Sequence, residues 1–79
     1  MMKTKTILFS NGFIGHYEIH KDKQFIVNLM KDFKEGKEIY WKKFKETGNK
    51  IFKQEAENMM HDLALLQDNF YDLWISINK

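Results

Sequence analysis

Residues 3–20 read KTKTILFSNGFIGHYEIH, two β-prone runs on either side of Asn11-Gly12. An Asn-Gly pair between apolar runs is the strongest short hairpin signal, because a two-residue type I′ turn needs positive φ at both central positions. With Asn11 and Gly12 as that loop, Ser10 lies opposite Phe13, Phe9 opposite Ile14, Leu8 opposite Gly15, Ile7 opposite His16 and Lys5 opposite Glu18. Paired residues share a face of the hairpin. This register therefore expects Leu8, Phe13, Tyr17 and Ile19 on the core side. The other side carries Lys3, Lys5, His16, Glu18 and His20 at its open end, with Ile7, Phe9 and Ile14 near the turn.

Downstream the periodicity changes from two to about 3.6. Asp22 is placed to cap a helix from Lys23, whose apolar positions Phe25, Ile26, Leu29, Met30 and Phe33 follow helical spacing, and Gly36 is placed to end it. The next stretch, KEIYWKKFKET, gathers Tyr40, Trp41 and Phe44 at helical spacing and leaves Ile39 on the far side. From Phe52 a 4-3-4-3 rhythm runs through Ala56, Met59, Leu63, Leu66, Phe70, Leu73 and Ile77, a heptad seam. The stripe could continue back through Gly48, Phe44 and Trp41 as one helix. Gly suits a helix C′ position and Asn an N-cap, so a stop and a start at Gly48-Asn49 is the preferred reading. The fold class expected is α+β: an N-terminal β-hairpin followed by two or three helices, the last long and amphipathic, with residues 1–79 as a single small domain.

That last helix raises a question of size. Residues 49–78 as helix span about 45 Å at 1.5 Å per residue, whereas a compact globule of this length is roughly 30 Å across. Either a second copy covers the seam, giving a homodimer, or the end is not helix. LWISI, residues 73–77, is β-prone enough to serve as a third strand.

With 79 residues, the chain buries only about 60% of its unfolded surface. That disfavours a deep catalytic pocket. Cysteine is absent, which removes disulfides and thiolate metal sites and fits a reducing, cytoplasmic setting. Lys3 and Lys5 precede an apolar patch, but Ser10, Asn11 and Gly12 interrupt it and no small-residue cleavage pattern follows, so no signal peptide is expected. The longest apolar run, LALL, is far below the roughly 20 residues of a membrane span. All thirteen basic side chains are lysine, which disfavours recognition by bidentate guanidinium forks. Residues 31–53 hold eight lysines against four acids, and residues 54–78 hold five acids and no lysine. The abundance of Lys, Ile, Phe, Asn, Met and Tyr is what AT-rich coding gives, pointing to a low-GC bacterium, a phage or another mobile element.

Four constellations compete as sites. His16, Glu18 and His20 project from one strand face and could ligate a metal, but Lys3 and Lys5 lie opposite. A cross-strand Lys-Glu pair on a solvated face is the preferred reading, with no metal and no cofactor. His61 falls opposite the seam, on the solvent side, so neither it nor Asp62 completes a ligand set. Nucleophilic catalysis has only Ser10 and Ser76 to draw on, neither in a nucleophile elbow, so the chain is not expected to be an enzyme. Tyr40 and Trp41 interleave with Lys42, Lys43, Lys45, Lys50 and Lys53, a pattern suited to stacking bases and neutralising phosphates of single-stranded nucleic acid.

The fourth constellation is surplus apolar surface: Ile7, Phe9 and Ile14 off the hairpin's core face, and Leu65, Tyr71 and Ile75 off the helix seam, whose Leu66, Phe70 and Leu73, with Trp74, would meet a partner. Contiguous exposed apolar surface marks interaction sites. The leading expectation is a small protein-binding module, self-associating and docking on a macromolecular partner as inhibitor or adaptor proteins do. Nucleic-acid binding through residues 40–53 is the alternative.

Overall fold

The computed structural model describes residues 4–77. Strands β1 (Thr4–Leu8) and β2 (Ile14–Glu18) form an antiparallel hairpin, followed by helices α1 (Lys23–Thr47), α2 (Lys50–Asn69) and α3 (Tyr71–Ile77). The α+β hairpin-then-helices architecture is as expected. Residues 73–77 are helical, not a third strand.

The hairpin forms at Asn11-Gly12 but in a different register. Leu8 pairs with Ile14, Ile7 with Gly15, Thr6 with His16 and Lys5 with Tyr17. The loop has three residues, Ser10 to Gly12. Phe9 N–H donates to the Phe13 carbonyl at 2.9 Å, and Gly12 N–H donates to the Phe9 carbonyl at 3.0 Å. Within this loop only Gly12 has positive φ, at 87°. A type I′ turn would need it at Asn11 as well, so the geometry matches the three-residue loop that ends in a left-handed glycine. Asn11 contributes its side chain instead, accepting from Phe13 N–H at 3.0 Å.

A slip of one residue turns a strand over. β2 keeps Tyr17 inside as expected, but β1 presents Ile7 and Phe9 to the core, and Leu8 faces out. Ile7 and Phe9, expected off the core face, are thus core residues. Phe13, expected in the core, is largely exposed, and Ile19 is half-buried against the core.

Helix α1 begins at Lys23 as the sequence indicates. Asp22 precedes it, but its carboxylate accepts from Glu18 N–H at 2.9 Å instead of from the helix. The helix does not stop at Gly36. A side chain there would press on Met59 Sδ, so this glycine permits close approach of α1 and α2. The helix ends at Gly48, whose φ of 68° favours a residue without Cβ. Asn49 then caps α2, its Oδ1 accepting from Ile51 N–H at 3.0 Å. The expected stop and start are both present.

The heptad stripe is the buried face of α2 and α3: Ala56, Leu63, Leu66, Phe70 and Leu73 are all buried. What covers it is the chain itself. Ile26, Val27 and Met30 of α1 and Ile7, Phe9 and Tyr17 of the hairpin form one core with Leu63, Leu66, Phe70 and Leu73. Full burial of a side chain such as Ile26, Leu66 or Phe70 contributes about 1.5–3 kcal/mol each. Leu66, Phe70 and Leu73 therefore leave no free seam for a second copy. The rhythm runs unbroken through Phe70, yet the backbone breaks there, at φ −133° and ψ 50°. The molecule measures 49 × 30 × 16 Å, its long axis accommodated by two helices side by side.

Candidate interaction groove at the hairpin end

The three-residue loop sets the site. It places Phe9 and Phe13 as a cross-strand pair, their rings stacked with centroids 6.2 Å apart. Phe9 also meets Phe33 of α1 at 5.8 Å and Tyr17 edge-on at 6.5 Å. Tyr17 lies over Gly15 and stacks on Phe25 at 5.6 Å. Between hairpin and α1 these rings, with Leu29, wall an open cavity of about 210 Å³. Phe33, Asn11 and Asp62 also line an adjoining cavity of about 230 Å³, whose other walls are Ser10, Glu55, Asn58 and Met59. The two make one groove, aromatic at one end and acidic at the other.

Two carboxylates brace it. Asp62, only 6% exposed, accepts from Ser10 N–H at 2.8 Å and from the Ser10 hydroxyl at 2.9 Å, tying the loop to α2. A buried carboxylate needs such partners. Glu18 was expected on a solvated face opposite Lys5, but it pairs with Thr4 and is 8% exposed. Its carboxylate accepts from His20 N–H at 3.1 Å and from Lys21 N–H at 2.6 Å. Those backbone donors hold it below the ordinary carboxylate range, against the opposing effects of burial and of Asp22. Burial, and then the charge of Asp22, push the Tyr17 phenol up.

Outside the groove, Leu8 and Ile14 sit side by side on the hairpin's solvent face. Leu8 is 60% exposed and Ile14 53%, with Phe13 at 59% and Phe25 at 55% on the groove side. Ile14 is the expected hairpin residue that remains available. Leu8 and Phe13 are additions that the register reveals, and Phe25, expected on the apolar face of α1, is exposed. Trp74 is half-buried against the core, with the Lys34 ammonium 5.9 Å from its ring centre.

The lysine-rich segment lies at the opposite end, around the α1–α2 turn. Lys42, Lys43, Lys45, Lys50 and Lys53 are exposed, but the rings are engaged with one another. Tyr40 stacks on Phe52 at 6.3 Å, and Trp41 meets Phe44 edge-on at 6.0 Å. The Trp41 indole N–H points to Met60 Sδ at 3.4 Å, and the Lys43 ammonium lies 5.8 and 5.7 Å from the Tyr40 and Phe52 ring centres. His16 Nδ1 lies 3.0 Å from the Thr6 hydroxyl. Among the described residues no group of three or more His, Cys, Asp or Glu side chains could hold a metal ion. No described helix is long and apolar enough to cross a membrane.

No family model, curated protein or solved structure matches the chain. Its chemistry is therefore read from these surfaces alone.

Proposed function

We propose that the chain is a non-enzymatic protein-binding module that docks on a macromolecular partner through the end of its β-hairpin. One observation carries the reading: Leu8 and Ile14 on the hairpin's outer face and Phe13 and Phe25 on its groove side, four large apolar side chains, are each more than half exposed. Exposed apolar side chains on both faces of one hairpin give a partner apolar surface to cover. The neighbouring cavities, at about 210 and 230 Å³, adjoin along Asn11, Phe33 and Asp62 and are each of a size to take one side chain. They suit side chains of a partner.

Leu66, Phe70 and Leu73 pack in the chain's own core, which favours docking through the hairpin end over a contact along the seam. The composition adds a cytoplasmic inhibitor or adaptor from a phage or mobile element to the proposal.

Replacing Leu8 and Ile14 together by serine tests it. Both side chains face solvent, so stability should change by about 1 kcal/mol or less. Wild type immobilised against a nuclease-treated lysate of a low-GC bacterium should retain a protein that the double variant loses. Equal retention by both forms, or retention of nucleic acid alone before nuclease treatment, would overturn the reading.

A further inference from the structure

The groove on the inner side of the same hairpin has a chemistry that narrows the partner. Its aromatic compartment is preformed, since Phe9, Phe13, Tyr17, Phe25 and Phe33 hold each other in place by ring contacts. Side chains already ordered lose little on binding, which is where affinity is usually forfeited. The adjoining compartment shares Asn11, Phe33 and Asp62 with the first and brings Glu55 and Asn58.

Charge supplies the second half of the argument. The chain holds thirteen lysines, yet among the described residues none lines either compartment, and the charged side chains that do are Glu55 and Asp62. Asp62 already accepts two hydrogen bonds from Ser10, so it acts through its charge. Glu55 offers accepting oxygens, and the amides of Asn11 and Asn58 offer both donors and acceptors. Two side-chain-sized spaces side by side, one aromatic and one acidic, fit two side chains of one extended segment.

We propose that this groove binds a peptide segment of the partner protein in which an aromatic or long aliphatic side chain is followed, within a few residues, by lysine or arginine. The anchor fills the aromatic compartment and the cation reaches Glu55 and Asp62. Buried aromatic anchors with charge at the rim are how protein interfaces concentrate their energy. The inference rests on the protein-binding reading and adds the partner's chemistry to it.

An NMR titration of the full chain tests it with three synthetic hexapeptides: one with a tryptophan and two lysines, one with glutamates for the lysines, and one with alanine for the tryptophan. The lysine peptide should shift residues 9–17, 25–33 and 55–62. The glutamate and alanine peptides should each bind at least about fivefold more weakly, the first through loss of an ion pair and the second through loss of the apolar anchor. Glu55→Gln should narrow the lysine-over-glutamate preference at an unchanged melting temperature, and Phe25→Ala should weaken the tryptophan peptides.

Equal affinity for the charge-reversed peptide, shifts confined to residues 40–53, or no shifts would overturn the proposal. So would groove shifts that appear on concentrating the protein alone, which would make a second copy the occupant. If the peptides fail while Leu8 and Ile14 still govern partner capture, the module reading stands without this groove. Loss of both would remove the reading itself.

Discussion

At the hairpin end, Phe13 and Phe25 stand more than half in solvent beside a groove whose charges are carboxylates. At the helical turn, Tyr40, Trp41, Phe44 and Phe52 are half-buried among themselves and the surrounding charges are lysines. The sequence is similarly rich in rings at both places. Their availability differs because the backbones are spaced differently. Gly36 and Ala56 let α1 and α2 approach closely, so rings on the two helices meet. The hairpin is held off α1 by Tyr17 and Phe9, and the rings wall a gap. A run of aromatics and lysines is therefore a weaker sign of a binding surface than aromatics that leave a space between elements.

The largest effect should come from the core behind the groove. Phe70 is 1% exposed and packs with the hairpin and α1 residues that position the rings. Phe70→Ala should cost about 3–5 kcal/mol in urea denaturation. A cost under about 1 kcal/mol would mean that Phe70 is not buried in the core behind the groove.

A smaller effect separates the two ends directly. Trp41 is half-buried, so Trp41→Ala should destabilise by about 1–2 kcal/mol. It should leave the lysine peptide's affinity unchanged. Tight binding of single-stranded DNA that falls steeply with salt and depends on Trp41 would invert the comparison and make the lysine end the site.

Local signals explain what could be read in advance. Asn11-Gly12 marked the hairpin, Asp22 the start of α1, Gly48-Asn49 the break, and the 4-3 rhythm the buried face of α2 and α3, each because a nearby backbone preference or period enforces it. The errors arose where one signal serves two geometries. Asn-Gly fits a two-residue loop and also the last two positions of a three-residue one, and the choice decides whether Leu8 or Ile7 and Phe9 face the core. Gly36 reads as a stop but serves a helix contact. Asp62 bonding to Ser10 joins residues 52 apart, which no local pattern shows. Of the site, Ile14 was legible. Leu8 and Phe13 were hidden by the register, and Phe25 reads as core because its helical spacing matches that of Ile26, Leu29, Met30 and Phe33.

The smallest predicted effect concerns the joint that aims the hairpin over α1. Glu18 N–H donates to Asp22, Asp22 N–H donates back to the Glu18 carbonyl at 2.8 Å, and the Glu18 carboxylate gathers the N–H groups of His20 and Lys21. These last two bonds depress its pKa in the folded chain. A carboxylate whose folded value lies below its unfolded value, about 4.3 for glutamate, favours folding above that unfolded value. The contribution fades as pH falls through the folded value. Glu18→Gln keeps an acceptor and loses the charge, so the difference in urea midpoint between wild type and variant should be constant from neutral pH down to the ordinary glutamate range. Below that range it should shrink. A difference that stayed flat into strong acid would show that the carboxylate is not held by the turn, and the joint would then owe its geometry to Asp22 and to the packing of Ile19 alone.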